Sequence, residues 1–266
     1  MRKITLAVPR GATDIPIARD TLERAWESVV SRGLNAEYLK VNSLPRSYAR
    51  NILVLSYLKK VSGDDGYFLF VDSDMMLHPH TAITLHDRME RQPEIAILSA
   101  AYFQRNINAP FPSFFKDCGN TVMTEFGNDE KEFKLNSEVL EDFYAAYPEI
   151  LNSSQAYYCY PKIKDHTCLF EMDRVGAGCL MVRRGVFEKI KHPWFSFDEY
   201  GIGEDFDFCR KAKAHGFKIF VDLAVMCGHV TNYTVTHRDC MRWGYYLRLQ
   251  NPNANGRLQL RKANGV

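Results

Sequence analysis

Apolar and polar residues along the chain follow a pattern that predicts strands alternating with helices. Short apolar, β-rich runs predict strands at Ile4–Pro9, Ala36–Val41, Tyr67–Val71, Ile95–Leu98 and Lys218–Asp222. Helical patterns lie between them at Ile17–Ser31, Tyr48–Lys60, Pro79–Arg91 and Phe206–His215. This alternation predicts a three-layer α/β fold, in which ligands bind beyond the carboxyl ends of the strands.

The alternation breaks between Arg105 and Asp173, where the sequence becomes aromatic and polar. We interpret residues 105–172 either as an inserted wall or lid that faces an acceptor, or as a local packing cluster. The sequence predicts one catalytic domain over residues 1–250, with a nucleotide-binding half at about 1–104 and an acceptor and catalytic half at 173–230. Residues 251–266 form a polar tail.

Composition narrows the class of protein without identifying a partner. The chain has 266 residues, 46% of them hydrophobic, and a formal net charge of +2. Such a balance gives no general reason to expect nucleic acid or membrane binding, and no apolar run is long enough to span a bilayer. The seven cysteines form no CxxC pair, and their odd number argues against a closed disulfide framework. We therefore expect a cytoplasmic location.

Two carboxylates follow the predicted strand Tyr67–Val71, which is continuously hydrophobic. Asp72 and Asp74 lie two positions apart, so in extended backbone their side chains leave on the same side. Hard carboxylate oxygens suit Mg²⁺ or Mn²⁺, and such a cation can neutralise the charge of a departing diphosphate. An exposed turn is the alternative interpretation of this pair, and the preceding buried strand favours the metal site.

A second acidic group begins the helix that follows Gly203. Glu204 and Asp205 are either helix-capping residues or sources of a general base. A sugar transfer that inverts configuration needs a carboxylate to take the proton of the acceptor hydroxyl, and Asp205 is our first choice, with Glu204 second. A retaining transfer needs no such base, and both acids would then orient a substrate.

Several other residues can be interpreted either as ligand contacts or as structural residues. His229 follows a predicted strand and is either a metal ligand or a structural histidine, with His237 as its local rival. Gly176 and Gly178 would let a sugar or diphosphate approach the backbone, or they form an ordinary tight turn.

The next two candidates carry a charge and an apolar surface. Arg50 pairs either with a diphosphate or with an aspartate of the metal site, unless it is solvated. Trp194 and Phe195 offer an apolar face to a sugar, or they belong to the core.

Taken in order, these motifs resemble the family-2-like glycosyltransferases of the GT-A fold. The resemblance covers residues 3–104 and 173–230 and rests on Arg50-Asn51, Phe70-Val71-Asp72-Ser73-Asp74, Gly176-Ala177-Gly178-Cys179-Leu180-Met181-Val182-Arg183-Arg184, Pro193-Trp194-Phe195, Gly203-Glu204-Asp205-Phe206-Asp207-Phe208-Cys209 and Cys227-Gly228-His229. It implies a mixed, mainly parallel central sheet and a nucleoside-diphosphate sugar donor, with a UDP-sugar favoured.

The resemblance also implies roles for single residues. Pro9, Arg50, Ser73 and Gly178 would lie near the donor, and Asp72 near the ribose or the metal. The metal ligands would be Asp74 and His229, together with Asp72 in its shared role, and Asp205 or the adjacent Glu204 would be the base.

The sequence thus predicts a glycosyltransferase that uses Mn²⁺ or Mg²⁺ and transfers a sugar to an acceptor hydroxyl of unknown identity. A noncatalytic nucleotide- or carbohydrate-binding module of the same fold is the main alternative, since fold alone does not establish chemistry. A nucleotidyltransferase, which would release pyrophosphate, ranks lower because no glycine-rich phosphate loop follows the first strand.

Overall fold

The computed structural model describes residues 3–10, 15–60, 66–104, 112–116, 139–152, 155–197, 203–230 and 234–235. The strands are β1 (Ile4–Arg10), β2 (Ala36–Asn42), β3 (Tyr67–Val71), β4 (Met75–Met76), β5 (Ile95–Ala101), β6 (Phe114–Phe115), β7 (Tyr158–Cys159), β8 (Leu169–Met172), β9 (Arg174–Val175), β10 (Cys179–Arg183), β11 (Lys218–Met226), β12 (Gly228–Val230) and β13 (Thr234–Val235). The helices are α1 (Pro16–Ser31), α2 (Arg46–Lys60), α3 (Thr81–Arg91), α4 (139–146), α5 (Pro148–Leu151), α6 (Asp165–Cys168), α7 (Arg184–Lys189) and α8 (Glu204–Ala214).

An eight-stranded sheet forms the centre of the molecule, in the order β2-β1-β3-β10-β5-β11-β7, with β8 also paired to β11. Strand β1 is parallel to β2 and β3, and β5 is parallel to β11. Strand β10 is antiparallel to both β3 and β5, and β7 and β8 are antiparallel to β11. The sheet is therefore mixed with most strands in one direction, which confirms the predicted mixed, mainly parallel central sheet of an α/β fold.

Helices cover both faces of this sheet. Strand β3 shows why, because its five residues are all buried and its side chains alternate between two apolar clusters. Phe68 and Phe70 join the cluster that includes residues of α2, α7 and α8, whereas Tyr67, Leu69 and Val71 join the cluster with α1 and α3. A continuous apolar strand is typical of a sheet buried on both faces, and the three predicted layers are confirmed.

Glycines in the left-handed conformation follow the ends of helices α1 and α8. Gly33 follows α1 with φ of 72°, and Gly216 follows α8 with φ of 78°. This left-handed conformation costs glycine little because it has no Cβ atom. Other boundaries differ slightly from the predictions, since α3 begins at Thr81 and β11 continues to Met226.

Part of the predicted insertion belongs to the central sheet. Strands β7 and β8, both from residues 155–172, pair with β11, and Phe114 and Phe115 are buried in the core. Phe115 packs edge to face against Phe206 of α8, and the prediction of an acceptor wall or lid is untested by the described residues. The candidate ligand His237, residues 117–138 and the tail 251–266 lie outside the described ranges. Within those ranges, no helix combines the length and apolar character needed to cross a membrane.

Candidate functional site

The predicted site residues meet at one edge of the sheet, where β3, β5 and β11 end and β10 begins. Asp72 directly follows β3, and its backbone N–H donates to the carbonyl oxygen of Gly178, which precedes β10 (2.9 Å). Cys227 follows β11 and donates its N–H to the carbonyl oxygen of Ala101 at the end of β5 (2.8 Å). Carboxyl ends of parallel strands thus bring together segments that are far apart in the sequence, as the α/β pattern predicts.

Asp74 and His229 lie side by side at this edge. The short strands β4 and β12 pair antiparallel with His229 opposite Met75, and the N–H of Val230 donates to the carbonyl oxygen of Asp74 (2.8 Å). As a result, His229 Nε2 is 3.6 Å from Asp74 Oδ2, and each side chain keeps 14% of its surface exposed. The backbone therefore holds this acid and this imidazole in a fixed relation, with access to solvent.

The orientation of the His229 ring is set from its other nitrogen. His229 Nδ1 is 2.8 Å from the carbonyl oxygen of Phe103, and a carbonyl oxygen can only accept a hydrogen bond. Nδ1 therefore carries the proton, and in the neutral ring Nε2 presents a lone pair toward Asp74. A backbone carbonyl that fixes the tautomer in this way is a common support for metal-binding histidines.

Arg50 is buried beneath the site and holds two carboxylates. Only 1% of its side chain is exposed, and Nη2 donates to both carboxylate oxygens of Asp72 at 2.9 Å. Nη1 donates to Glu204 Oε1. Of the alternatives for Arg50, this geometry agrees with pairing to an aspartate of the site. Its predicted contact with the donor stays a prediction.

The neighbouring Asn51 joins α2 to the Trp194-Phe195 segment. Its Oδ1 accepts the backbone N–H groups of Trp194 (3.0 Å) and Phe195 (3.2 Å), and its Nδ2 donates to the carbonyl oxygen of Phe195 (2.7 Å). Both aromatic side chains are buried, with exposures of 4% and 1%. They pack in the core rather than offering a face to a sugar.

Asp205 and Glu204 have different environments although they are adjacent in α8. Glu204 is 5% exposed and bound to Arg50, whereas Asp205 is half-buried, with Oδ1 accepting the N–H of Phe206 (3.0 Å). Burial raises the pKa of Asp205, and the charge of Glu204 adds to this rise while Arg50 opposes it. Asp205 is thus the acid whose carboxylate is less committed to a side-chain partner, and its raised pKa makes it easier to protonate than an ordinary aspartate.

The Asp72 carboxyl also titrates above its ordinary range. Burial raises its pKa, the charge of Asp74 contributes in the same direction, and Arg50 and the exposed Arg46 partly offset both. Asp207, also in the first turn of α8, is different because hydrogen bonds from Lys211, Ser196 and Arg210 lower its pKa despite burial. Asp207 therefore supports the helix, whereas burial disfavours the charged forms of Asp72 and Asp205.

Tyr102 is a central residue that the sequence did not single out. It follows β5, is 5% exposed, and its hydroxyl accepts the N–H of Gly178 (2.9 Å). A Cβ atom on Gly176 would lie 2.0 Å from this hydroxyl, and one on Gly178 would lie 2.8 Å from the ring. The two glycines are thus required by the close approach of Tyr102, and their predicted contact with a ligand stays a prediction.

Tyr102 also contacts the remaining parts of the site. Its ring meets the ring of His229 edge to face, with centroids 5.6 Å apart and an interplanar angle of 82°. Burial, followed by the charges of Asp205 and Asp72, holds the pKa of its hydroxyl well above the usual range. The hydroxyl therefore stays protonated and lines the site as a neutral, polar group. Its place after a parallel strand was the signal in the sequence that could have identified it.

The donor set suits a cation that completes its shell from a substrate. Within the described ranges, no group of three or more His, Cys, Asp or Glu side chains is arranged to hold a metal ion. Asp74 and His229 form a pair instead, and the Asp72 carboxylate is held by Arg50. Mg²⁺ commonly takes one or two protein carboxylates plus phosphate oxygens and water, so the Asp74 carboxylate fits such a cation, whereas the His229 imidazole suits a first-row transition metal ion.

The remaining predicted donor contacts also line this edge. Pro9 lies near the end of β1, opposite Val41 of β2, and is buried. Ser73 occupies the turn between β3 and β4 and is half-buried. Their contacts with a donor are predictions that the described residues do not test.

Comparison with known proteins supports the fold. Neither a protein-family model nor a curated protein matches the sequence. A197 from STIV shares 15% identity with a TM-score of 0.51, over 87% of this chain and 86% of that chain. CMP:2-keto-3-deoxy-manno-octonic acid synthetase complexed with CTP shares 14% identity with a TM-score of 0.41, over 93% and 99% of the two chains. A glycosyltransferase involved in glycosylation of the major capsid of PBCV-1 shares 12% identity with a TM-score of 0.37, over 90% and 98%. At 15% identity, the likeness to A197 shows a shared fold alone.

Proposed function

We propose that the protein is a metal-dependent glycosyltransferase that transfers a sugar from a nucleoside-diphosphate sugar to an acceptor hydroxyl. The observation that carries the proposal is the juxtaposition of Asp74 Oδ2 and His229 Nε2, 3.6 Å apart, at the end of the sheet where Asp205 accepts the N–H of Ala177 (3.4 Å). An oxygen and a nitrogen ligand at the carboxyl ends of the strands suit a nucleotide bound through a cation. A UDP-sugar is the favoured donor.

Asp74 and His229 would hold a divalent cation, Mn²⁺ or Mg²⁺. When bound there, the cation would neutralise the charge on the departing diphosphate. The protein itself contributes the fixed positions of the two ligands, because β4 and β12 pair and Phe103 orients the imidazole. Arg50 would support the site because its hydrogen bonds hold the Asp72 carboxylate in place.

Asp205 would act as the general base of an inverting transfer. It would take the proton of the acceptor hydroxyl while that oxygen attacks the anomeric carbon and the bond to the diphosphate breaks. Its raised pKa favours this role, since a base works best when its pKa lies nearer the operating pH. Glu204 is a weaker candidate because its carboxylate is committed to buried Arg50.

Donor binding is tested first by thermal unfolding with a panel of nucleotide sugars, with and without Mn²⁺. A UDP-sugar at about 100 times its Kd should stabilise the parent by about 2.7 kcal/mol, and Mn²⁺ should increase the shift. Asp74→Asn should lose this Mn²⁺ dependence, whereas the control Asp142→Asn, at an exposed position of α4, should retain it. A panel in which no nucleotide shifts the parent would contradict the donor site.

Turnover is tested by release of nucleoside diphosphate from the same donor. Asp205→Asn should lower turnover by about 10²–10⁴-fold, because general bases contribute that much, and should preserve the thermal shift by the donor. Binding without turnover in the parent would favour the noncatalytic module. Release of pyrophosphate instead of nucleoside diphosphate would favour a nucleotidyltransferase.

A further inference from the structure

A second cavity lies away from the proposed donor site, at the outer side of β11. It is an open cleft of about 560 Å³, within the range of small-molecule sites. Strands β10 and β5 separate β3 from β11, so ordinary strand spacing puts roughly 14 Å between the strand that leads to Asp72 and this side of the sheet. A ligand in the cleft would therefore not occupy the place of the donor.

The walls of the cleft are rings and aliphatic surface. Tyr147, Tyr160 and Ile163 contribute to the lining, and all three side chains are half-buried. Rings that are partly open to solvent can stack on the flat face of a sugar or a base. The cleft is thus suited to a ring-bearing molecule.

Basic side chains surround this apolar surface. Lys162, Lys164 and His166 line the cleft and are exposed, whereas Ile163 and Asp165 between them are half-buried. The exposed side chains thus present three basic groups to solvent beside the cleft. Positive charge beside an apolar cavity favours a ligand that also carries negative charge.

The one acid within this basic run does not offset it. Asp165 accepts hydrogen bonds from Arg91 (3.0 and 2.9 Å) and from Arg88. Burial works to raise the pKa of Asp165, but the hydrogen bonds from the two arginines lower it to about 2. Arg88 and Arg91 of α3 therefore neutralise the Asp165 carboxylate, and the charge of the lysines remains available to a ligand.

The backbone around the cleft is held in place before any ligand arrives. Tyr160 donates its N–H to the carbonyl oxygen of Ala224 in β11 (2.9 Å), and Arg88 donates to the carbonyl oxygen of Ile163 (2.6 Å). The hydroxyls of Tyr147 and Thr167 are 2.7 Å apart and join the two sides of the cleft. Such preorganisation reduces the ordering cost of binding.

We propose that this cleft binds a small molecule in which a ring carries a phosphate group. The tyrosine rings would contact the ring of the ligand, and Lys162 and Lys164 would pair with its phosphate. A sugar phosphate and a nucleoside monophosphate share this chemistry. The inference is independent of sugar transfer, because binding here requires neither the donor nor the cation.

The test is calorimetric titration of the full chain, without Mn²⁺ or nucleotide sugar, using glucose 6-phosphate, AMP, glucose and inorganic phosphate as probes. Glucose 6-phosphate or AMP should bind, and the better of them identifies the source of the ring. The double variant Lys162→Ala/Lys164→Ala should bind it at least about tenfold more weakly. The control Lys40→Ala/Lys59→Ala removes the same charge from exposed positions near the opposite edge and should bind as the parent does.

Three results would overturn the proposal. Neither ring phosphate binds the parent, inorganic phosphate binds as tightly as both ring phosphates, or the two double variants weaken binding equally. Because all four lysines are exposed, the variants should fold as the parent does, and thermal unfolding checks this. A second measurement on the parent alone is salt dependence, since affinity carried by exposed charges should fall as ionic strength rises.

Discussion

Two buried arginines each bind two carboxylates against the same sheet, but the charge around them differs. Arg88 bonds Asp222 and Asp165, and Arg91 adds a second guanidinium to Asp165, so two cations meet two anions. We call these four residues the Arg88 group. The balance of charge suits a purely structural network.

Arg50 is bound to Asp72 and Glu204, and it also interacts electrostatically with Asp205. We call these four residues the Arg50 group. It contains three carboxylates and one guanidinium, with exposed Arg46 acting on Asp72 from outside. Burial raises the pKa of a carboxyl in both groups, Asp222 in one and Asp72 and Asp205 in the other. What distinguishes the Arg50 group is the unbalanced negative charge, which a cationic ligand would relieve.

The largest expected effect comes from removing each arginine in turn. Arg50→Leu and Arg88→Leu should each lower the free energy of unfolding by about 3–5 kcal/mol, because each leaves buried carboxylates without their cation. Urea unfolding measures the loss. Ligand binding should distinguish the two variants. When both are folded at the start of thermal unfolding, a nucleotide sugar should raise the unfolding temperature of Arg88→Leu but not that of Arg50→Leu. Loss of the shift in both would remove the functional distinction between the groups.

The second expected effect concerns Tyr102, which packs beside the Arg50 group. Gly176→Ala puts a methyl group 2.0 Å from the Tyr102 hydroxyl, so the buried ring must move, at a cost of about 1–3 kcal/mol. Gly185→Ala is the control, since no atom lies within 4 Å of its added Cβ. In a double-mutant cycle, Tyr102→Phe should recover part of the Gly176→Ala loss. Strict additivity of the two changes would contradict the close contact.

The regular elements were predictable because their apolar patterns report burial directly. The continuous run of β3 requires cover on both faces, and the Asp72-Ser73-Asp74 turn beyond it falls where the fold binds ligands. Strands β7 and β8 were not predicted, since two to four residues are too few to show a periodicity.

Within the site, sequence reasoning proposed the residues but not their partners. Adjacent positions on a helix point in different directions, so only the fold shows that Glu204 faces Arg50 while Asp205 does not bond it. The position of Tyr102 after a strand could have marked it as a candidate, but its partner could not be predicted, because the Gly176–Gly178 turn lies more than seventy residues later in the chain. Long-range contacts of single residues leave no periodic trace.

The smallest expected effects have opposite signs in the two groups. At Asp165 the pKa is lowered to about 2, against about 3.9 in the unfolded chain. Its ionised form therefore stabilises the fold above about pH 4, and this contribution is lost as the pH falls through 2. Asp165→Asn should cost about 1–2 kcal/mol at pH 7, after allowance for solvent screening. The difference from the parent should vanish near pH 2, as followed by unfolding at each pH.

Asp205→Asn should do the reverse and stabilise the fold at pH 7. The pKa of Asp205 is raised, mainly by burial, so the folded state holds its proton more tightly than the unfolded chain does. Stability of the parent then falls as the pH rises above about 4, and the asparagine variant escapes this loss. The free energy of unfolding should rise by about 0.5–1 kcal/mol. This gain should accompany the fall in turnover, because active-site residues are often destabilising to the fold. Asp207→Asn is the matched control on the same helix turn and should lose stability, since hydrogen bonds lower the pKa of Asp207. A loss of stability in Asp205→Asn at pH 7 would instead assign Asp205 to the structural class of Asp165.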